Sequence, residues 1–152
     1  QSLDARCALH VKEAADGETP RPGTVYLAPG GRHLKVVPGP QLRVTDDPPE
    51  RNCRPAADYL FRSLAAVHGP RAVGVIMTGM GSDGTAGLEA MKAAGAVVLA
   101  QDEASCVVFG MPREPIARGI VDRVVPLPQL AQAILHAVCG GPVGTGGGRG
   151  RP

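Results

Sequence analysis

The sequence predicts an α/β fold: a doubly wound parallel sheet (Rossmann-like) with helices on both faces and an antiparallel hairpin as an addition. Three observations predict it. Strand-like and helical segments alternate from Pro55 to Val138. The strand-like segments are continuous apolar runs, as expected of parallel strands that are buried on both faces. Aromatic residues make up only 3% of the chain, so the core between these layers is expected to be aliphatic.

Residues 9–44 are predicted to form short strands and turns. The segment ALHVKEA alternates apolar and polar residues, which is typical of a half-buried strand. GTVYLAPGGRHLKVV has strand-like runs on either side of Pro29-Gly30-Gly31, and this pattern predicts a β-hairpin. GPQLRVT adds another short strand. DDPPERNCRP is predicted to be a loop, since its prolines and acidic residues are unfavourable in a sheet ladder.

The second half of the chain shows apolar residues at helical spacing. A first helix is predicted to start at Pro55, a good first helical residue, and to stop at Gly69-Pro70. A second helix opens near Asp83 and ends at Gly95. The remaining predicted elements are apolar strands at 73–77 and from 96, a strand in DRVVPL, a short helix at 115–118 and a third long helix at 127–138.

Size, charge and cysteine spacing limit the classes of function. With 152 residues, the chain has the length of one domain. A formal net charge of +2 is too small to suggest nucleic-acid binding, and no apolar run approaches the roughly 20 residues of a membrane helix. The four cysteines form no CxxC pair, so neither a zinc site nor a disulfide framework is predicted. We expect reduced thiols in a cytoplasmic protein that needs no metal or cofactor.

One glycine-rich turn, GVIMTGMGSDGTAG at 74–87, follows a predicted buried strand and opens a helix. In sheets of this kind, ligands and catalytic groups gather at the carboxyl ends of the strands. Three interpretations compete. Gly79, Gly81 and Gly84 match G-x-G-x-x-G, a weak signal for a phosphate or dinucleotide site, although no P-loop lysine is present. Alternatively, Asp83 caps a helix, or it is the acid of a catalytic triad. The spacing does not decide among them.

Other residues are also candidates for a functional site. His33 is predicted to be an exposed histidine at a strand end, and Arg54 a surface arginine that could bind a substrate carboxylate. Met111 and Arg113, in FGMPREP, are candidates for lining a substrate site. Cys106 lies in the apolar segment ASCVVFG, which predicts a buried thiol with a raised pKa.

The acids Asp102 and Glu103 are expected to face solvent. They also stand about 20 residues beyond the glycine turn, at the spacing of a dinucleotide-binding acid, so this alternative stays open.

The quoted segments together resemble one family closely. TGMGSDGTAG and QDEASCVVFGMPREPI, with VKEAADGE, PGTVYLAPGGRHLKV and RPAADYLFRSLA upstream, are similar to the carboxyl-terminal catalytic domain of the chemotaxis protein-glutamate methylesterases, the CheB family. The resemblance extends from about Cys7 to Ile134. It implies a serine esterase that hydrolyses glutamate γ-methyl esters on the cytoplasmic helices of chemoreceptors, and that can deamidate glutamines. A response-regulator domain, and thus a phosphorelay, is the partner usual in the family.

The same resemblance implies roles for two residues. The family uses a serine–histidine–aspartate triad, and its aspartate lies in the Gly-Met-Gly-x-Asp-Gly turn, at Asp83 in this sequence. The backbone N–H of the methionine in that turn, here Met80, is implied to be part of the oxyanion hole.

The family's serine and histidine precede the region that matches, and neither is identified in this sequence. The chain begins with Gln1. We therefore expect residues 1–139 to be part of a catalytic domain, incomplete at its N-terminal side and inactive alone, with an unpaired apolar sheet edge. Residues 140–152 are expected to be a flexible glycine-rich tail. The alternative function is a non-catalytic nucleotide- or phosphate-binding module that uses the turn from Gly79 to Gly84.

Overall fold

The computed structural model of the protein describes residues 2–140. The predicted tail lies outside the described residues except for Gly140. Strands come first and alternate with helices later, as the apolar pattern predicts. The elements are β1 (His10–Glu13), β2 (Thr24–Leu27), β3 (His33–Val37), β4 (Gln41–Thr45), α1 (Ala57–His68), β5 (Val73–Ile76), α2 (Thr85–Ala93), β6 (Val97–Gln101), α3 (Arg113–Ala117), β7 (Arg123–Val125) and α4 (Leu127–Val138).

The predicted parallel sheet is present, in the strand order β5-β6-β7. Its central strand, β6, is buried on both sides: Val98, Leu99 and Ala100 are each at most 1% exposed. Val98 and Ala100 pack with Leu88 and Met91 of α2. Leu99 instead packs with Leu130 and Ala133 of α4, on the opposite face of the sheet. Helices therefore cover both faces of the sheet, which confirms the doubly wound α/β prediction.

The predicted hairpin around Pro29 is wrong. β2 pairs in parallel with β1, with Thr24 opposite His10. The antiparallel hairpin is formed instead by β3 and β4, in which Val37 pairs with Gln41. Turn residues report where the chain bends, but strand pairing depends on which strands pack together. Here β3 and β4 share an apolar cluster that also contacts α1, while β2 keeps its ladder with β1.

Helix α1 packs between the β3–β4 hairpin and the helical layer that contains α2. Its residue Leu64 contacts the apolar cluster of β3 and β4 and also the cluster beneath α2. α1 begins at Ala57 rather than at Pro55, so the predicted start is wrong by two residues. Ala56 keeps an extended backbone because its N–H donates to the side chain of His33. α1 thus begins close to the end of β2 and to the loop that follows β5, where the candidate site lies.

None of the helices in residues 2–140 combines the length and the apolar character that crossing a membrane requires.

Candidate active site

The glycine-rich segment forms a loop at the carboxyl end of β5. It runs beside the segment that follows β6, and Gly79 and Phe109 form an isolated parallel bridge. The Gly79 N–H donates to the carbonyl of Val108 at 3.0 Å, and the Gly79 carbonyl accepts from the Met111 N–H at 2.8 Å. Thr78 adds a side-chain bond to the Val108 carbonyl at 3.1 Å. The loop is therefore fixed to the neighbouring segment by hydrogen bonds, most of them between main-chain groups.

Two glycines permit this close approach. A Cβ atom on Gly110 would lie 2.5 Å from the Gly79 carbonyl oxygen and 3.2 Å from the Gly81 nitrogen. Both are backbone atoms, so neither moves without displacing the loop. A Cβ on Gly79 would lie 2.5 Å from the sulfur of Met111, a flexible side chain. Gly79, in the motif, and Gly110, outside it, are thus explained by the crossing of the two chain segments, independently of any ligand.

Met80 lies at the outer edge of this loop. Its side chain is 87% exposed. The neighbouring residue Gly79 uses its N–H for the bond to Val108, but within residues 2–140 the Met80 N–H donates to no other group. A backbone N–H without a partner in the protein is what an oxyanion hole requires.

Asp83, the last residue of the motif before Gly84, is half-buried and accepts two hydrogen bonds. The donors are the backbone N–H groups of Ala57 at 2.6 Å and Asp58 at 3.0 Å. Asp83 therefore caps α1, a helix distant in sequence, rather than the helix that it precedes. A carboxylate offers about four lone-pair positions, so two acceptor positions remain for another donor.

The carboxylate of Asp83 also lines an open pocket of about 280 Å³. The rest of the lining comes from the end of β2, from β3 and from the start of α1: Ala28, Leu34, Pro55, Ala56, Ala57 and Leu60. These side chains are apolar. A group entering this pocket would meet one carboxylate on an apolar wall, and this carboxylate can accept a hydrogen bond from a donor such as a histidine ring.

The N-terminus of α2, where the phosphate alternative would place its ligand, already holds a carboxylate. Asp58, which is 2% exposed, accepts from the N–H groups of Gly84 at 3.1 Å and Gly87 at 2.7 Å. An entering phosphate would meet this negative charge and find these donors taken. Sequence reasoning missed Asp58, because an acidic residue in the first turn of a helix is common and gives no sign of a partner in another helix.

The prediction of an exposed His33 is wrong. The residue is fully buried, and its ring stacks on Tyr59 with centroids 4.2 Å apart. Its Nε2 lies 3.0 Å from the Pro48 carbonyl, while Nδ1 accepts from the Ala56 N–H at 3.3 Å. Nδ1 is thus an acceptor, and the Nε2 position faces a carbonyl oxygen. Both nitrogens are occupied, so His33 has a structural role, and no histidine within residues 2–140 hydrogen-bonds Asp83.

Comparison with known proteins decides the family. A sequence model described as CheB methylesterase matches residues 1–134. The chain belongs to the CheB methylesterase family.

Relatives agree with this assignment. A protein-glutamate methylesterase/protein-glutamine glutaminase of Desulfotalea psychrophila is 49% identical over 142 residues, covering 90% of this chain and 39% of that protein. A protein of the same name from Bordetella pertussis is 55% identical over 143 residues, covering 89% and 40%. The chain therefore spans about 40% of the length of the curated relatives that it matches.

A solved structure confirms the fold. The crystal structure of the Thermotoga maritima CheB methylesterase catalytic domain superposes with a TM-score of 0.85 at 39% identity. The superposition covers 88% of this chain and 72% of that chain. The CheB fold and the match of the turn to the family motif leave the phosphate-binding alternative without support.

The structure places two other candidates of this CheB family chain, Met111 and Arg113, beside the loop. Met111 is half-buried, and its sulfur lies against Gly79. Arg113 is exposed, with its guanidinium 5.6 Å from the centre of the Phe109 ring. Arg54, which precedes the cis Arg54–Pro55 bond, is exposed. Its Nη1 donates to the carbonyl of Asp46 at 3.4 Å.

Cys106 is half-buried rather than buried. Burial raises the pKa of its thiol, a hydrogen bond from Thr78 opposes this rise, and the negative charges of Asp102 and Glu103 add to it. The raised pKa was predicted from the apolar sequence, and it makes Cys106 a poor nucleophile at neutral pH. Glu103 is exposed as predicted, whereas Asp102 is half-buried and accepts from the Ser105 N–H at 3.0 Å.

Residues 2–140 contain no group of three or more histidine, cysteine or acidic side chains arranged to hold a metal ion. The four cysteines, all in this range, are free thiols.

Proposed function

We propose that this chain supplies the acid and one oxyanion-hole donor of a protein-glutamate methylesterase that also deamidates glutamine. The observation that carries the proposal is the loop after β5, which places an unpaired Met80 N–H three residues before the Asp83 carboxylate, with that carboxylate lining a pocket. The names of the relatives, protein-glutamate methylesterase/protein-glutamine glutaminase, support the reaction. The serine and the histidine come from residues outside this sequence.

The proposed chemistry is acyl transfer to a serine. The serine oxygen attacks the γ-carbonyl carbon of the methyl ester, and its proton passes to the histidine. Negative charge develops on the carbonyl oxygen, where the Met80 N–H donates a hydrogen bond. The C–O bond to the methoxy group breaks, methanol leaves with the proton from the histidine, and water hydrolyses the acyl-enzyme in the same manner. With glutamine as the substrate, ammonia leaves instead of methanol.

Asp83 acts through the histidine in this scheme. Its two free acceptor positions let it accept from the histidine ring while it continues to cap α1. A carboxylate in this place fixes the tautomer of the base and stabilises the imidazolium that forms. The two backbone bonds from the N-terminus of α1 hold the carboxylate in place for this role.

The proposed substrates are the cytoplasmic helices of methyl-accepting chemoreceptors, and the proposed partner domain is a response regulator. The exposed guanidinium of Arg113 lies beside the loop, where it can bind a carboxylate on an acidic receptor helix. The side chain of Met111 packs against Gly79 of the loop. Residues 1–139 are proposed to be part of the catalytic domain, which acts in the cytoplasm.

The decisive experiment replaces Asp83 with Asn in the intact protein that carries this sequence and measures methanol release from a methylated receptor fragment. Asn keeps one oxygen as an acceptor for α1 but cannot orient the imidazolium, so we expect kcat to fall by up to ~10⁴-fold with the fold retained. Glu103→Gln, at an exposed acid in the neighbouring loop, is the control and should keep full activity. An unchanged rate in Asp83→Asn would remove Asp83 from the chemistry.

The 152-residue chain alone should release no methanol, even where circular dichroism shows it to be folded. Turnover by this chain would mean that a nucleophile other than the proposed serine exists within it.

A further inference from the structure

The N-termini of α1 and α2 are each capped by a carboxylate that belongs to the other element. The side chain of Asp83, just before α2, accepts from the N–H groups of Ala57 and Asp58 at the start of α1. The side chain of Asp58 accepts from Gly84 and Gly87 at the start of α2. The first N–H groups of a helix lack partners within the helix, and here each helix satisfies those of the other. The exchange closes a ring, because Asp58 is bonded both to the Asp83 side chain and to the residue that follows it.

The two helices touch where the exchange occurs. A Cβ atom on Gly87 would lie 2.6 Å from the Cβ of Phe61 and 3.0 Å from the Cα of Asp58. No side chain larger than hydrogen fits there unless the helices separate. The buried Oδ1 of Asp58 is thus held at hydrogen-bonding distance from α2 by direct contact between the helices.

A cation accompanies the exchange. Arg51 Nε lies 3.9 Å from the second carboxylate oxygen of Asp58, and its Nη1 donates to the hydroxyl of Ser82 at 3.2 Å. Ser82 immediately precedes Asp83 in the loop. Arg51 therefore offsets part of the repulsion between the two carboxylates and contacts the loop from outside.

We infer that Asp58 is a positioning residue for the reaction: it acts through Asp83, whose main chain and carboxylate it fixes relative to the Met80 turn. The inference rests on the proposed function. The side chain of Asp58 fixes the main chain at Gly84, the residue after Asp83, while the backbone N–H groups of Asp58 and Ala57 hold the Asp83 carboxylate. A displacement of about 1 Å at a catalytic group can cost ~10² in rate, so loss of this ring should be visible in turnover.

The test uses three substitutions of Asp58 in the intact protein. Asp58→Ala removes the acceptor, Asp58→Glu keeps the charge but displaces the oxygen, and Asp58→Asn keeps an oxygen in place without the charge. We expect kcat for methanol release to fall by roughly 10- to 100-fold in the Ala and Glu variants with little change in KM. The Asn variant should keep most of the activity, since position rather than charge is what the ring supplies.

The matched control is Asp122→Ala. Asp122 also accepts a main-chain bond, from the Val98 N–H at 2.7 Å, but near the amino end of β6, away from the loop. It should lower stability without lowering kcat per folded molecule. In an Asp83→Asn background, Asp58→Ala should cause no further loss of kcat, because its effect passes through Asp83.

Three outcomes would overturn the inference. One is equal kcat in Asp58→Ala and Asp122→Ala. Where the Ala variant does not fold, a wild-type kcat in Asp58→Glu has the same meaning. The third is a full additional loss in the Asp83→Asn background. An unchanged rate in Asp83→Asn itself would instead refute the proposed function, so the two failures are distinguishable.

Discussion

Thr78 and Gln101 join the carboxyl ends of two neighbouring strands through one side chain. The Thr78 N–H donates to Oε1 of Gln101 at 2.9 Å, and the Gln101 amide donates onward to the Ser105 carbonyl at 2.8 Å. Gln101 is fully buried. A buried amide with both ends bonded fixes the spacing between the loop after β5 and the loop after β6, and so the position from which the Met80 turn begins.

Replacing Gln101 with Leu should therefore destabilise the protein. The Thr78 N–H and the Ser105 carbonyl would lose their partner, and an intramolecular hydrogen bond typically contributes about 0.5–1.5 kcal/mol to stability. Urea denaturation of the two proteins measures the difference. Gln132→Leu, at an exposed position of α4, is the matched control and should change the free energy of unfolding by less than about 0.5 kcal/mol. Equal midpoints for the two variants would show that the Gln101 bridge contributes nothing.

Gly110→Ala should displace the loop. Its new methyl group would lie 2.5 Å from the Gly79 carbonyl oxygen, a backbone atom that cannot move alone. Overpacking of this kind typically costs about 1–3 kcal/mol. In the intact protein we expect a fall in kcat for the proposed methyl-ester hydrolysis as well, because Met80 follows Gly79 directly. Gly30→Ala, where a Cβ meets nothing within 4 Å, should leave thermal stability and turnover unchanged. A fully active and stable Gly110→Ala protein would contradict the close packing.

Met80 should act through its backbone and not through its side chain. Because the side chain is 87% exposed, Met80→Ala should leave stability within about 0.5 kcal/mol and kcat unchanged. Met80→Pro removes the N–H, and loss of one oxyanion donor costs ~10² to 10³ in kcat. Both variants are assayed for methanol release, with thermal unfolding to confirm the fold. A folded Met80→Pro protein with the activity of Met80→Ala would exclude this N–H from the oxyanion hole.

Cys106 should be alkylated more slowly than the exposed Cys7. Burial raises the pKa of the Cys106 thiol, so at any pH below that value a smaller fraction is the reactive thiolate. Its labelling rate with iodoacetamide should continue to rise at pH values where labelling of an ordinary thiol has reached its plateau. Mass spectrometry across a pH series measures both rates, and the urea-unfolded chain, where the two should converge, is the control. Equal rates in the folded protein at pH 8 would contradict the raised pKa.

Local sequence patterns predicted most of the elements. The runs at β5 and β6 are apolar without alternation because both faces of these strands are covered, by α2 on one side and α4 on the other. Helix periodicity works for the same reason, since one face of each helix must be buried. The start of α1 was misplaced by two residues, because a bond from the Ala56 N–H to His33, distant in sequence, keeps Ala56 extended.

The contacts of the candidate site were not predictable from the sequence. The family motif marks Met80 and Asp83, and no pattern marks Asp58. The same holds for His33, whose burial depends on stacking against Tyr59 of another element. A residue type and its neighbours in sequence do not state which distant groups will surround a side chain.

The sequence by itself determined the alternation of strands and helices, the place of the glycine-rich turn and, through its motifs, the family. These features are local: they depend on apolar spacing, on turn residues and on short sequence motifs. Only the tertiary structure decided that β2 pairs with β1, and that Asp83 caps α1 while Asp58 caps α2. Such partners are chosen when whole elements pack to bury their apolar faces, and hydrogen bonds form between whichever polar groups that packing brings together.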